Sequence, residues 1–465
     1  MKNTKLRLEP FSFYNHTEIV SHLEKMAAKG WMIQKITAFG WKYQRIEPTQ
    51  ILFAVSYYPK ASEFDPEPSE SQKTFHDFCA HTGWKLACTS AQLQIFYNEQ
   101  ENPTPIETEP VLELESIDKS VMKSFFPVHC LFLVIAVIQG WLSLLALTGN
   151  PIAFLSNPAQ LFTALCWAIL ALVCIVEMVC YIRWYHRAKE AAEQGEFLKT
   201  PSTSKFQKIV GFVVIVGGLY WILTSVIHGD SLRRWLVLLM CLYMLVLTAA
   251  VNGMKAFLKR RKVSRNMNRV ITLLTSFVLA FALMGLIFWA TANGIFSNQP
   301  AQDSTINAQG NTDWVLQQGK LPLSVSDLQA VKDDLYSADC YGDKSFLLGR
   351  FVMRQLPNLD AENFTELPNL EYTIVEVEVP ALYNTCKKRL MHEVEAVSSS
   401  LPLQYAPQDT SAWGANEVYG LENPESGRFT HSYLLCYDHT LVEIKLSWKP
   451  TPEQMQIVGQ KLGKI

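Results

Sequence analysis

Apolar positions are not spread evenly along this chain. They condense into five stretches, 126–147, 159–182, 209–227, 235–254 and 270–292, while the flanks mix polar and apolar residues as folded segments do. A helix rises about 1.5 Å per residue, so about 20 apolar residues cross a hydrocarbon layer of roughly 30 Å. Each stretch is long enough. Single β-strands would leave backbone groups unpaired in lipid, so the spans are expected as helices. Trp184 with Tyr185, Trp235 and Trp289 lie at or near stretch ends, where aromatic residues suit the headgroup layer. The expected fold class is a membrane α-helical region with five transmembrane helices, 124–292, and a soluble α+β domain on each side.

The first flank, 1–115, predicts two similar units. Asn15 with Glu18 reads as a capping box opening a helix whose apolar face is Ile19, Leu23, Met26 and Ala27, and Gly30 ends it. Ser69 with Gln72 opens a second helix with Phe75, Phe78 and Cys79 on one face, ended by Gly83. Strand-like runs precede each helix (6–11 and 51–58), and two short ones follow each Gly-Trp. Residues 27–43, AAKGWMIQKITAFGWKY, align without a gap with residues 80–96, AHTGWKLACTSAQLQIF. Gly30 falls on Gly83, Trp31 on Trp84 and Ala38 on Ala91. The prediction is a cytoplasmic domain made of a duplicated β-α-β-β unit with antiparallel sheet, Trp31 and Trp84 serving as core anchors.

The second flank begins with a polar stretch, 293–313, that reads as a linker. An extracytoplasmic α+β domain follows over 314–465. It carries a short helix over 327–336, a strand over 371–379 and a helix over 382–396. A hairpin of 430–437 with 441–448 turns at Asp438-His439-Thr440, and a last helix opens at Pro452.

Charge changes the picture by fixing orientation. Loop 183–208 carries Arg183, Arg187, Lys189, Lys199, Lys205 and Lys208; loop 255–269 carries Lys255, Lys259, Arg260, Arg261, Lys262, Arg265 and Arg269. Loop 149–158 has no basic residue and 228–234 has only Arg233 and Arg234. The positive-inside rule places the rich loops in the cytoplasm, so the N-terminus is expected inside and the C-terminus outside a cell membrane. The start MKNTKLRLEPFSFY has no apolar core of signal-peptide type, so the internal spans are expected to direct insertion. A net charge of −2 gives no reason to expect nucleic acid as a partner.

Candidate chemistry is sparse. Glu177 is the one formal charge well inside a span, a speculative intramembrane polar site; its alternative is a carboxylate snorkelling toward Arg183, about 9 Å along the helix. Gln139 in the first span is suited to interhelical hydrogen bonding. The run Lys259, Arg260, Arg261, Lys262 and Arg265 suits a lipid or topology anchor, with membrane lipid as the partner. Glu63, Asp65, Glu67 and Glu70 cluster among prolines and read either as a solvated loop or as a docking surface for a partner. Ten cysteines include no C-x-x-C pair; Cys340, Cys386 and Cys436 leave open one disulfide or three free thiols. His392, His431 and His439 have no known metal spacing, and no H-E-x-x-H, G-x-S-x-G or P-loop occurs. No catalytic residue, cofactor or metal is expected.

MAAKGW, FGWKYQRIEP, YYPKASEFDPEP and IFYNEQENPTPIETE together resemble the bacterial domain-of-unknown-function family 2812, over about residues 4–120. That resemblance implies a domain placed ahead of membrane spans. It also implies a signalling or stress-response setting, since such genes often neighbour PadR-type regulators, and a cytoplasmic regulatory protein as partner. It implies no catalytic residues. The expected function is a non-enzymatic sensor or regulatory accessory of a bacterial membrane, linking an outer domain to a cytoplasmic one; the alternative is a transporter or channel subunit.

Overall fold

The computed structural model describes residues 3–37, 40–227, 231–292, 306–310, 312, 315–316, 320–358, 367–397, 403–424 and 427–463. All counts below are of these residues. In chain order the first elements are β1 (Thr4–Arg7), α1 (His16–Ala28), β2 (Trp31–Thr37), β3 (Gly40–Arg45), β4 (Leu52–Tyr57), α2 (Glu70–His81), β5 (Lys85–Ser90) and β6 (Leu93–Asn98). Helix α3 (Pro110–Ser120) runs through a π-helical turn (Val121–Phe125) into α4 (Phe126–Gly149). Then come a short α5 (Pro151–Ser156), α6 (Pro158–Glu193), α7 (Ser204–Ile227), α8 (Ser231–Arg260) and α9 (Arg265–Ala292). Five helical rods are long and apolar enough to cross a membrane by length and composition: Pro110–Gly149, Pro158–Glu193, Ser204–Ile227, Arg234–Arg260 and Arg265–Ala290. The chain is a multi-pass membrane protein.

The fold separates into two compact units. One holds residues 1–139, 166–217 and 239–293; the other holds 140–165, 218–238 and 294–465.

In the first unit, β1-β3-β2 and β4-β6-β5 form two antiparallel three-stranded sheets. The strand expected over 6–11 is shorter and earlier, ending at Arg7, because Pro10 has no N–H to continue the ladder. Asn15 caps α1 and Ser69 caps α2, each accepting an N–H three residues on. The reciprocal half of each capping box is replaced. Glu18 accepts from the Asn15 side chain at 2.6 Å, and Gln72 donates to Gln94 at 3.2 Å. Gly30 takes φ +78°, and a Cβ there would lie 2.8 Å from the Ile46 carbonyl, so only glycine fits. The apolar face predicted for α1 (Ile19, Leu23, Met26, Ala27) is buried. The core does not stop at the edge of the sheets. Ile19, Leu23, Tyr43 and Ile95 share one buried cluster with Leu114, Ile117 and Phe125 of the rod leading into α4, and with Tyr181, Trp184 and Ala188 of α6.

In the second unit, the C-terminal strands are β7 (Ile306–Gly310), β8 (Tyr336–Lys344), β9 (Leu348–Pro357), β10 (Leu370–Val377), β11 (Gln404–Pro407), β12 (Glu417–Asn423), β13 (Arg428–Cys436) and β14 (Thr440–Leu446). Helix α10 (Tyr383–Val397) precedes β11, and α11 (Pro452–Leu462) closes the chain. The strands make one sheet in the order β11-β12-β13-β14-β10-β9-β8-β7, antiparallel except where β7 pairs parallel to β8. Both faces are covered. Tyr372, Ile374 and Leu435 point into one buried cluster, and Val375, Leu434 and Cys436 into another. The expected hairpin and the helices from 382 and 452 are present. The helix expected over 327–336 is instead two single 3₁₀ turns, Val325–Asp327 and Asp333–Leu335, before β8. Ser324 and Asp327 form a capping box that opens the first turn, which stops after three residues. Most of the polar stretch 293–313 lies outside the described residues, but Ile306–Gly310 within it is strand β7, paired into the sheet.

The α4–α6 connection belongs to this unit. Asn150 caps α5, and Ile152 is buried among Leu348, Val375 and Leu434. Ser345 donates to the Leu155 carbonyl at 2.6 Å, Asn157 donates to Asp343 at 3.1 Å, and Arg389 donates to the Gly149 carbonyl.

Candidate functional site

Three polar assemblies lie in the first unit, where the sheets meet the helix ends. The most extensive is built on the proline-rich loop between β4 and α2. Asp65 accepts the Ser62 N–H at 2.8 Å, folding the loop back on itself. This turn presents Asp65 to Arg265, the first residue of α9. Arg265 Nε lies 2.5 Å from Oδ1 and Nη2 lies 2.8 Å from Oδ2, a two-pronged pairing of planar groups. The same Nη2 donates to the Lys60 carbonyl at 2.8 Å, and Asn268 donates to the Phe64 carbonyl at 3.0 Å. Lys255 of α8 pairs with Glu63 at 3.0 Å and Lys262 with Glu67 at 2.7 Å. The Phe64 ring sits between two cations, with Lys255 at 5.8 Å and Arg269 at 5.7 Å from its centroid.

Acidic cluster and basic run thus meet each other. Glu63, Asp65 and Glu67 find their cations within the chain, and Lys262 and Arg265 find acids. Glu70 stands apart, pairing with Lys73 on its own helix. Arg261 lies over the Phe257 ring. Lys259 and Arg260 make no ion pair among the described residues. Lys262 hydrogen-bonds Glu67 and holds its carboxyl below the usual range.

Beside this seam is a cleft of about 620 Å³. Both hairpins reach it, with Lys35 and Thr37 from β2, Ser90 from β5 and Ala91 from the β5–β6 turn, and Asn252 and Lys259 of α8 line it too. Ala91 has φ +49° and Lys262 φ +56°, the non-glycine residues in left-handed backbone among those described. Each such residue stores on the order of 1 kcal/mol of strain. One lines the cleft and the other belongs to the seam beside it.

The second assembly surrounds Glu177. Its carboxylate is buried, with the residue 2% exposed, and does not snorkel. Ser12 donates to Oε2 and Gln207 of α7 to Oε1, both at 2.6 Å. Ser12 also lies 2.6 Å from the Thr203 hydroxyl. Nearby, Thr200 donates to Asn15 at 2.6 Å and Ser204 donates to Glu18. The hydroxyl-rich loop before α7 is thereby bound to the start of α1.

The third is small. His16 lies in a small pocket with Trp184 and Ala188, its Nε2 3.5 Å from Glu113 and its Nδ1 without a hydrogen-bond partner among the described residues. Burial pushes its pKa down to about 4. Tyr14 stacks on Trp184 and packs edge-on to Phe125 and Tyr181.

In the second unit the cysteines left open by sequence are free thiols. Cys340, Cys386 and Cys436 are buried, and burial pushes them up to about 12, 11 and 11. His392, His431 and His439 fall on α10, on β13 and in the turn before β14. Among the described residues no group of three or more His, Cys, Asp or Glu could hold a metal ion.

Sequence reasoning missed Ser12, Phe64, Thr203 and Gln207. Phe64, between Glu63 and Asp65, had a local signal: an aromatic residue inside an acidic loop needs a partner surface. Ser12 lies about 190 residues from Thr203 and Gln207, and none of the three carries a local signal.

A family model described as "Protein of unknown function (DUF2812)" matches residues 15–128. This part of the chain belongs to the DUF2812 family. The DUF2812 segment includes α1, β2 to β6, α2, α3, the π-helical turn and the start of α4, with β1 ahead of it, so the matched region runs past the sheets and into the helix that crosses the membrane. No curated protein and no solved structure matches the chain.

Proposed function

We propose that this protein is a non-enzymatic regulatory component of a bacterial cell membrane, in which the DUF2812 domain reads the state of the helix ends it sits on. The observation that carries this reading is the continuous buried core joining α1 and the sheets to α3, α4 and α6, supplemented by the Asp65–Arg265 seam to α9. A domain held only by a flexible tether could not sense a shift of these helices; one sharing their core must respond to it. Packed elements move between discrete arrangements rather than deforming freely.

On this reading the DUF2812 side is cytoplasmic and the eight-stranded sheet domain faces outside. The basic residues of 183–208 and 255–269 support that orientation. The α4–α6 connection, bonded to the sheet domain through Ile152, Leu155 and Asn157, supplies the outer contact of the same helices. We further read the DUF2812 sheets as a duplicated β-α-β-β unit. Their strand orders correspond, and their bulges fall at Ile33/Lys35 and Leu86/Cys88, which coincide under the alignment of Gly30 with Gly83.

Hydrogen exchange of the full chain in nanodiscs tests the coupling. Substituting Asn157→Ala and Ser345→Ala loosens the outer contact. The expected result is altered exchange in residues 60–68 and 200–204. Unchanged exchange there, with the sheet domain still folded, removes the basis for two-sided signalling. Solute flux in proteoliposomes would favour a transporter instead.

A further inference from the structure

We infer that the cleft between the two hairpin tips and α8 is a binding site for a phosphate-bearing anion. Six charged residues line it: Lys35, Lys255, Lys259, Glu63, Asp65 and Glu67. Taken alone they cancel. Each acid, however, already has its own cation: Glu63 has Lys255, Asp65 has Arg265 and Glu67 has Lys262. Lys35 and Lys259 make no ion pair among the described residues, Lys259 feeling Glu63 and Asp65 only at longer range. The unspent charge in the cleft is therefore positive.

Neutral donors complete the set. Ser90 of β5 supplies a hydroxyl and Asn252 of α8 the amide N–H not given to the Thr248 carbonyl, while the Thr37 hydroxyl is spent on the Gly40 carbonyl at 2.7 Å. A tetrahedral phosphate with several acceptor oxygens suits that arrangement better than a planar carboxylate does. Lysine serves phosphate as a mobile point charge. The volume of about 620 Å³ lies in the range of small-molecule sites and exceeds what a bare phosphate fills, so the ligand carries an organic body.

The strained backbone agrees. Left-handed non-glycine residues persist where surrounding structure holds them and cluster at ligand sites. Ala91 forms one wall of the cleft, and Lys262 holds Glu67, which forms part of another.

Such a phosphate could belong to a soluble monoester or to a lipid headgroup, because Lys255 and Lys259 lie at the end of a membrane-spanning helix. The experiment separates the two. The full chain is placed in phosphatidylcholine nanodiscs and titrated with adenosine monophosphate. In parallel it is placed in equimolar phosphatidylcholine–phosphatidylglycerol discs, and bound lipid is counted by native mass spectrometry. Hydrogen exchange at Thr37 and Thr89–Ala91 is read in both. Saturable protection by the nucleotide assigns a soluble ligand; protection with retained phosphatidylglycerol assigns a headgroup. In either arm Lys35→Ala is expected to weaken binding about fivefold, and Lys35→Ala with Lys259→Gln about 25-fold, at about one charge's attraction each. Lys259→Arg should preserve it. Absence of protection in both arms overturns the site. So does unaltered affinity in Lys35→Ala, an exposed strand position whose loss leaves the fold intact. The site does not depend on two-sided coupling: an anion bound here with no response to the outer contact sinks only that reading.

Discussion

Cutting the Asp65–Arg265 pair should release the β4–α2 loop from α9. The carboxylate side chain is 17% exposed and the guanidinium 36%, so the pair is partly screened but not free in water. A hydrogen bond to a charged group contributes about 1.5–3 kcal/mol, and exposed ion pairs much less. For two parallel bonds at this exposure, about 2 kcal/mol is a reasonable value for Arg265→Gln, equivalent to about thirtyfold in an equilibrium. Amides of Ser62–Asp65, observed in nanodiscs under conditions where exchange reports the opening equilibrium, should then exchange about thirtyfold faster. Asp65→Asn keeps an oxygen for the Ser62 N–H and should have a somewhat smaller effect. The double variant should be little worse than Arg265→Gln alone, because the interaction is removed once. Lys262→Gln, whose Glu67 partner is half exposed, should leave exchange almost unchanged. An Arg265→Gln effect below about twofold, or full additivity in the double variant, would refute the claim that this pair holds the loop.

Other outcomes follow from the remaining assemblies. His16 is held neutral by burial, its folded pKa of about 4 lying below an unfolded value of about 6.5. Its contribution is complete above about pH 6.5 and is lost as pH falls toward 4, so acid-induced opening of α1 in wild type should be blunted in His16→Gln over that window. Glu177→Gln replaces one acceptor oxygen by an amide, costs about 1–3 kcal/mol and should raise exchange at Ser12 and 200–204, whereas a solvated carboxylate would tolerate the change. Gly459→Ala puts a Cβ 2.0 Å from the Trp413 carbonyl. It should displace α11 and lower sheet-domain stability by about 1–3 kcal/mol, read as a red-shifted Trp413 emission against single-tryptophan controls. An unshifted spectrum and melting curve would show that the close approach is relieved at no cost.

Sequence alone determined the elements whose driving force is local or one-dimensional. Five spans were legible because lipid demands about 20 apolar residues in a row, whatever the tertiary arrangement. Helices α1 and α11 were legible from caps and one-sided apolar spacing, α2 from its cap although Phe78 of its expected apolar face is exposed, and Gly30 from the turn that only glycine makes. Strand β9 was not, because a strand buried on both faces loses the alternation that marks a half-exposed one. The site shows the same division. Glu63, Asp65, Glu67 and the run from Lys259 to Arg265 stood out as charge clusters, yet their pairing spans some 200 residues of chain and depends on bringing α9 beside the β4–α2 loop. Glu177 was conspicuous, but whether a carboxylate snorkels or is buried depends on Ser12 and Gln207, which only the folded chain brings to it. Charge and hydropathy are properties of residues and can be read in a line. Which charge neutralises which, and which makes no ion pair among the described residues, as with Lys35 and Lys259, is a property of distances set by the packed core.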